Sequence, residues 1–219
     1  MNEFAALIPM KELHLGKSRL SLVLNPIERS ELIVNMFSRV IQASLDSSCA
    51  KVFVVGRDNR IKHITESMGG YWIQGSGSDL NSDLIGAIGM IQREGYSTIC
   101  IPGDIPFVTF ADIDLVINET NLEESVGLVP STSDGGTNCL SIPKDSVFEP
   151  SFGLNSFERH IWQGTEKGIQ TLIIDAAGMF LDVDTDADLQ ECEDKERGFI
   201  KRLGAGSFVN IYSKGNLGG

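Results

Sequence analysis

The sequence predicts an α/β fold: a single domain with a mainly parallel sheet and helices on both faces. Three observations carry this. Short continuous apolar runs such as FAALIPM, KVFVVG, TICIP and SVGLVP recur along the chain, and strands buried on both faces need such runs. Between them lie segments with apolar residues three and four apart, the period of a helix with one buried face. The two patterns alternate, and alternating strands and helices imply parallel pairing.

The elements follow in order. FAALIPM is the first strand. Pro26, Ile27 and Glu28 open a helix whose apolar face is Leu32, Ile33, Met36, Phe37, Val40 and Ile41. Lys51–Gly56 is the second strand, followed by a helix from Asp58 to Met68, and Tyr71–Gln74 is a shorter third strand. Ser78 or Asp79 caps a helix carrying Leu84, Ile85, Ile88 and Ile91, and Gly95 ends it. Thr98–Asp104 is the fourth strand, with a helix near Ala111–Asn118 and a fifth strand at Ser125–Pro130. Beyond Pro130 the rhythm changes. A polar, glycine-bearing loop, STSDGGTN, leads into NCLSIP, a strand entering a different arrangement. Ser156–Gly168 reads as a helix and Thr171–Asp175 as a strand, and a last helix is capped by Asp184 or Thr185. Without an internal repeat or a linker, residues 1–203 are expected to form one domain. The glycine-rich tail at 204–219 is expected to be loosely ordered.

Composition narrows the function. The net charge of −12 over 219 residues argues against a nucleic-acid surface, which needs basic patches to neutralise phosphates. A small anionic ligand is not excluded, because it senses only the few residues around it. Cys49, Cys100, Cys139 and Cys192 lie far apart, with no CxxC pair, which fits free thiols in a reducing compartment better than a zinc site. The first apolar run is only about seven residues, against ~20 for a membrane span, so a cytoplasmic location is expected.

Ligands of open parallel sheets bind at the carboxyl ends of the strands, so the loops after the first, fourth and fifth strands should share one edge. The first of these, in IPMKELHLGKSRL, carries Lys11, Lys17 and Arg19 around Gly16. Lysine and arginine neutralise phosphate, and glycine lets a backbone approach it. Neither GxxxxGK[ST] nor GxGxxG is present, so a solvated basic loop remains the other reading. Asp104 follows the fourth strand in IPGDIPF. Asp182 and Asp184, two apart in LDVDT, point the same way if the segment is extended. Three converging carboxylates call for a cation, and hard oxygens suit magnesium. The competing reading makes Asp184 a helix cap and Asp104 a turn residue.

In order, the motifs IPMKELHLGKSRL, DLN at 79–81, GDIPF, GGTNCL at 135–140, FGLNSFERH at 152–160 and LDVDTDADL resemble those of the guanylyltransferases of deazaflavin coenzyme biosynthesis. That family activates 2-phospho-L-lactate or phosphoenolpyruvate with GTP. The resemblance runs from about Ala5 to Leu189. It implies a Rossmann-like sheet of the nucleotide-diphospho-sugar transferase type. It also implies GTP and a small phospho-acid as substrates, with 3-phosphoglycerate a third candidate acid, and a homodimer through the segment beyond Pro130. By this resemblance Pro9, Lys11, Lys17 and Ser18 hold the nucleotide and its phosphates, and Asn81 holds base or ribose. Lys17, Arg19 and Asp104 act in catalysis, and Asp104, Asp182 and Asp184 carry Mg2+. Thr137, Gly153 and Ser156 cradle the acceptor. Ser156 also fits from its own position, because helix N-termini favour anions. A related transferase acting on a sugar phosphate or a molybdenum cofactor precursor would share the first loop and Asp104 but need a different acceptor pocket. Two features depart from the family: GDIP stands where ADLP is more frequent, and Asp134 adds a negative charge beside the acceptor loop. His160, in the same stretch, reads as a surface or half-buried helix residue rather than an acceptor contact. Arg57, after the second strand, reads as a loop charge or a nucleotide contact.

Overall fold

The computed structural model describes residues 2–123 and 125–202. Among the described residues seven strands form one sheet in the order β3-β2-β1-β4-β6-β5-β7. They are β1 (Phe4–Pro9), β2 (Lys51–Gly56), β3 (Tyr71–Gln74), β4 (Ser97–Cys100), β5 (Val126–Pro130), β6 (Thr137–Ile142) and β7 (Thr171–Ile173). The helices are α1 (Pro26–Asp46), α2 (Asn59–Met68), α3 (Leu80–Arg93), α4 (Phe110–Glu123), α5 (Ser156–Lys167), α6 (Asp186–Lys195) and α7 (Phe199–Arg202). β1 pairs in parallel with β2 and β4, and β3 with β2. β6 runs antiparallel to both β4 and β5, whereas β7 is parallel to β5. The changed rhythm after Pro130 is this reversal.

β1 shows why the runs are continuously apolar. Ala6 and Ile8 pack on one face of the sheet with Phe37 and Ile41 of α1. Ala5 and Leu7 pack on the other with Leu84, Ile88 and Ile91 of α3. A strand with both faces covered has no side left for polar residues. A third cluster joins Leu20 and Leu24 to Leu181, Val183, Leu189 and Phe199, and so anchors the loop after β1 to the C-terminal segment.

Local signals set the helix ends. Asn25 caps α1, its side chain accepting from the backbone of Ile27 and Glu28, while Glu28 reaches back to Asn25 N and Pro26 holds the first turn. Asp79, not Ser78, caps α3, and Gly95 turns the chain out of it at φ +93°. Several boundaries differ from expectation, with β7 ending at Ile173 rather than Asp175. β4 ends at Cys100, so Asp104 is reached by an irregular loop. α4 runs five residues past Asn118. The last helix splits at Gly198 (φ +81°) into α6 and α7. The predicted tail at 204–219 lies outside the described residues. Among the described residues no helix is long and apolar enough to cross a membrane.

Since β1, β4 and β5 are parallel, their carboxyl ends open on one edge. The reversal of β6 brings its first residue, Thr137, to that same edge.

Candidate active site

A cleft of about 350 Å³ opens there, lined by Pro9, Lys11, Lys17, Ser18, Arg19, Asp104 and Asp184, among others. Seven of the sequence-predicted residues therefore meet in one place. Lys17 is held in the left-handed region at φ 52°, a conformation that costs a non-glycine residue of order 1–3 kcal/mol and persists where surroundings enforce it. Here Leu20, fully buried in the third cluster, pins the turn that follows.

The Lys17 ammonium lies between two carboxylates, 2.5 Å from Asp104 Oδ2 and 2.8 Å from Asp184 Oδ1. Its side chain is 7% exposed, against 30% and 40% for its partners. Burial alone would favour the neutral amine, but the two carboxylates outweigh it and hold the lysine pKa above its ordinary value. Asp184 is pushed the other way: burial raises its pKa, and Lys17, Arg19 and Lys11 more than compensate, leaving it below the usual carboxylate value. Asp184 is therefore not a cap. Thr185 caps α6, in a reciprocal pair with Asp188. Arg19, with its side chain 70% exposed, stands 3.8 Å from Asp184 Oδ2.

Asp182 sits deeper. Val183 N donates to the Asp104 carbonyl at 3.3 Å, which fastens the LDVDT segment to the loop after β4, and Val183 itself is buried. Asp182 Oδ1 accepts from Ser131 Oγ, Ser133 Oγ and Asn138 Nδ2 at 2.9, 3.2 and 3.3 Å. Burial, then the nearby Asp104 charge, raise its pKa despite those bonds. Among the described residues no three acidic, histidine or cysteine side chains are arranged to hold a metal ion by themselves. The charge between Asp104 and Asp184 is met by Lys17. The donor chemistry still fits magnesium: Asp104 Oδ1 and Asp182 Oδ2 accept no hydrogen bond from the described residues, and this ion uses one or two carboxylates together with substrate phosphates.

The residues expected to hold an acceptor form a second, neutral group that does not line the cleft. Thr137, Ser156 and His160 are buried. Thr137 Oγ1 lies 2.9 Å from His160 Nδ1 and accepts from Ser156 Oγ at 3.2 Å. His160 Nε2 accepts from Ser151 N at 2.9 Å. Gly153 has φ +120°, a backbone that side-chain-bearing residues rarely adopt, and it shapes the turn that leads into α5. Asn81 does not face the nucleotide side of the cleft with its amide: its Oδ1 accepts from Phe152 N at 2.8 Å and its Nδ2 donates to Phe152 O at 3.1 Å. It clamps the loop carrying Gly153 onto the start of α3, and Phe152 then lines the cleft. Asp134 folds back on the Gly136 N–H at 2.8 Å, spending one oxygen locally.

Two features of the site go beyond what the sequence suggests. His160 reads as a surface or half-buried helix residue and is instead fully buried, its ring joining the Ser151 N–H to the Thr137 hydroxyl. Glu12, Arg57 and Asp79 line a smaller recess of about 140 Å³ beside the cleft, with Arg57 Nη2 3.4 Å from Glu12 Oε1.

The chain is similar to known proteins in sequence and in fold. A family model described as Guanylyl transferase CofC like matches residues 4–208. A phosphoenolpyruvate guanylyltransferase from Chloroflexus aggregans is 30% identical over 190 residues, covering 84% of this chain and 94% of that protein. A 2-phospho-L-lactate guanylyltransferase from Methanothermobacter thermautotrophicus is 31% identical over 187 residues, 85% of this chain and 82% of its own length. The crystal structure of a nucleotide-diphospho-sugar transferase homologue from Desulfovibrio desulfuricans G20 superposes with a TM-score of 0.77 over 97% of this chain and 99% of that one, at 16% identity, which establishes the fold as that of the nucleotide-diphospho-sugar transferase type. With a family model spanning almost the whole chain, and curated relatives matched over most of their own length, this chain belongs to the CofC-like guanylyl transferase family and is a nucleotidyltransferase.

Proposed function

We propose that the chain transfers GMP from GTP to the phosphate of a small phospho-acid and releases pyrophosphate. One observation carries the reading: Lys17, Asp104 and Asp184 form a charged centre in the cleft at the sheet edge, beside a buried loop of neutral hydrogen-bonding groups. The names of the relatives support phosphoenolpyruvate and 2-phospho-L-lactate as acceptors of this kind. The recess bearing Glu12 supports guanine, whose N1–H and 2-amino group are donors that seek a carboxylate acceptor.

An acceptor phosphate oxygen attacks the α-phosphorus of GTP. The bond from that phosphorus to the bridging β-oxygen breaks, and pyrophosphate leaves with the electron pair. The nucleophile is already an anion, so no side chain need remove a proton. Catalysis is then positioning and charge. Lys11 and Arg19 meet the triphosphate at the mouth of the cleft, and Lys17 keeps Asp104 and Asp184 in register beneath it. Asp104 and Asp182 would hold Mg2+ together with the substrate phosphates, while Asp184 stays paired with Lys17. When bound, that ion would neutralise the phosphates and steady the charge that builds at phosphorus. Thr137, Gly153 and Ser156 would present the acceptor.

The test is pyrophosphate release from the purified chain with each NTP, magnesium and a panel of phospho-acids and sugar phosphates. Release confined to GTP with phosphoenolpyruvate, 2-phospho-L-lactate or 3-phosphoglycerate supports the reading. Release with sugar phosphates alone overturns it.

A further inference from the structure

His160 takes no part in the chemistry above, yet its ring joins three segments of the acceptor side. It stands on the second turn of α5 and is fully buried. Phe148 and Phe152 flank it at ring-centroid distances of 5.8 and 5.5 Å, which hold its plane and keep water from it. Each ring nitrogen has one partner. Ser151 N is a backbone N–H and can only donate, so Nε2 must present its lone pair. A neutral imidazole then carries its hydrogen on Nδ1, and Nδ1 donates to Thr137 Oγ1 at 2.9 Å.

That tautomer has a consequence for Thr137. Its hydroxyl oxygen has two lone pairs, and it receives two donors, His160 Nδ1–H and Ser156 Oγ–H. Both lone pairs are then spent. The hydroxyl's own hydrogen is the part of this chain of groups left without an acceptor among the described residues. We propose that His160 is a positioning residue that locks the Thr137 hydroxyl as a hydrogen-bond donor toward the acceptor acid. The bonds run one way, from Ser151 N–H through the ring to Thr137, and each polarises the next. A donor so placed favours a carboxylate or phosphate oxygen, which offers a lone pair and has no hydrogen to clash with it. The same ring ties donor direction to loop closure, since Ser151 is also held through its carbonyl by Arg159 Nη2 at 2.6 Å. The inference rests on the reading that Thr137 meets the acceptor.

The wild-type chain itself supplies the first test. Long-range proton–nitrogen NMR of histidine-labelled protein, with His14→Gln and His63→Gln at exposed positions to assign the signals, reports the tautomer of His160 directly. The expected result is a hydrogen on Nδ1 and a bare Nε2, without bound acceptor. A hydrogen on Nε2 overturns the proposal and leaves the proposed function standing. Steady-state kinetics supply the second test. His160→Asn keeps a donor near the Nδ1 position, whereas His160→Gln keeps only a group near Nε2. His160→Gln should raise the acceptor KM about tenfold, the cost of one lost hydrogen bond, at unchanged KM for GTP, and His160→Asn should recover part of it. Equal rises in both KM values for both variants would make the ring a packing group and sink the proposal. Thr137→Val with an unchanged acceptor KM, in a protein whose His160 shows the expected tautomer, would instead overturn the acceptor assignment, and this proposal with it.

Discussion

The two halves of the site are built from opposite materials. At the loop after β1 the groups are charged and partly open to solvent: Lys17 between Asp104 and Asp184, with Arg19 outside. Around α5 they are neutral and buried: Thr137, Ser156 and His160 joined by hydrogen bonds, with Asn81 clamped on Phe152. Under the proposed function the difference follows from what each half would do. A triphosphate brings several charges, and charges act at a distance in a half-open cleft without exact placement. A small acid differs from its competitors by a few atoms, and discrimination at that scale needs fixed directional donors in a dry setting. The charged half should therefore govern rate, and the neutral half acceptor affinity.

The largest effect should come from the charged half. Asp104→Asn keeps the shape and removes the charge. Turnover should fall by about 10²–10³-fold, the usual loss for one transition-state electrostatic group, while the thermal unfolding midpoint changes little. Turnover within a few-fold of wild type would mean that Asp104 only anchors Lys17, and the division between rate and affinity would break.

The neutral half should show itself in acid. Burial, with Arg159 adding to it, depresses the His160 pKa from 6.5 to about 4. The unfolded chain takes up this proton near pH 6.5 and the folded chain resists it. The resulting stability is whole above pH 6.5 and is lost as pH falls to about 4. The shift corresponds to roughly 3 kcal/mol. Urea midpoints at pH 7 and pH 4.5 should therefore differ more in wild type than in His160→Asn. Parallel curves for the two proteins would show that the ring is not held neutral.

The two halves were also unequally legible. Strand and helix order could be read because period and run length are local properties. The basic loop and the acidic residues that meet it could be read because residue type nearly fixes their chemistry. What could not be read was who meets whom. Lys17 faces Asp184 across 167 positions and Asn81 faces Phe152 across 71, and nothing local encodes either pairing. Thr185 rather than Asp184 caps α6, a one-residue distinction that frees the carboxylate for Lys17. His160 reads as an ordinary helix residue until α5 is laid against β6, when its nitrogens find Ser151 and Thr137.

Asn81 lies on the boundary between the halves and sharpens the comparison. The family resemblance places it with base or ribose, whereas both of its amide atoms are engaged by Phe152. Asn81→Ala loosens the Phe152 loop and should raise the acceptor KM about three- to tenfold, the loss of ordinary hydrogen bonds, with the KM for GTP unchanged. A rise confined to the GTP value would assign Asn81 to the nucleotide half.

Ser156→Ala should have the smallest effect, and it tests how the acceptor loop is wired. If the hydroxyl touched the bound anion, its loss would remove a charge-assisted bond worth about 1.5–3 kcal/mol, or roughly ten- to a hundredfold in affinity. The structure directs Ser156 Oγ to Thr137 Oγ1 instead, with the residue 1% exposed. Removing it costs one neutral hydrogen bond, about 0.5–1.5 kcal/mol, or about two- to tenfold in acceptor KM. It frees one lone pair on Thr137 but leaves the bond from His160. The Ser156 backbone N–H, which donates to Gly153 O at 3.0 Å, also stays. Calorimetric titration of the variant with the phospho-acid, and separately with GTP and magnesium, distinguishes the cases. A loss beyond about thirtyfold for the acid would mean that the hydroxyl turns to the ligand on binding, so that the bond to Thr137 belongs only to the empty loop. A small loss for the acid, with GTP untouched, leaves the anion to Thr137 and to the backbone around Gly153, where a neutral pocket has to find its selectivity.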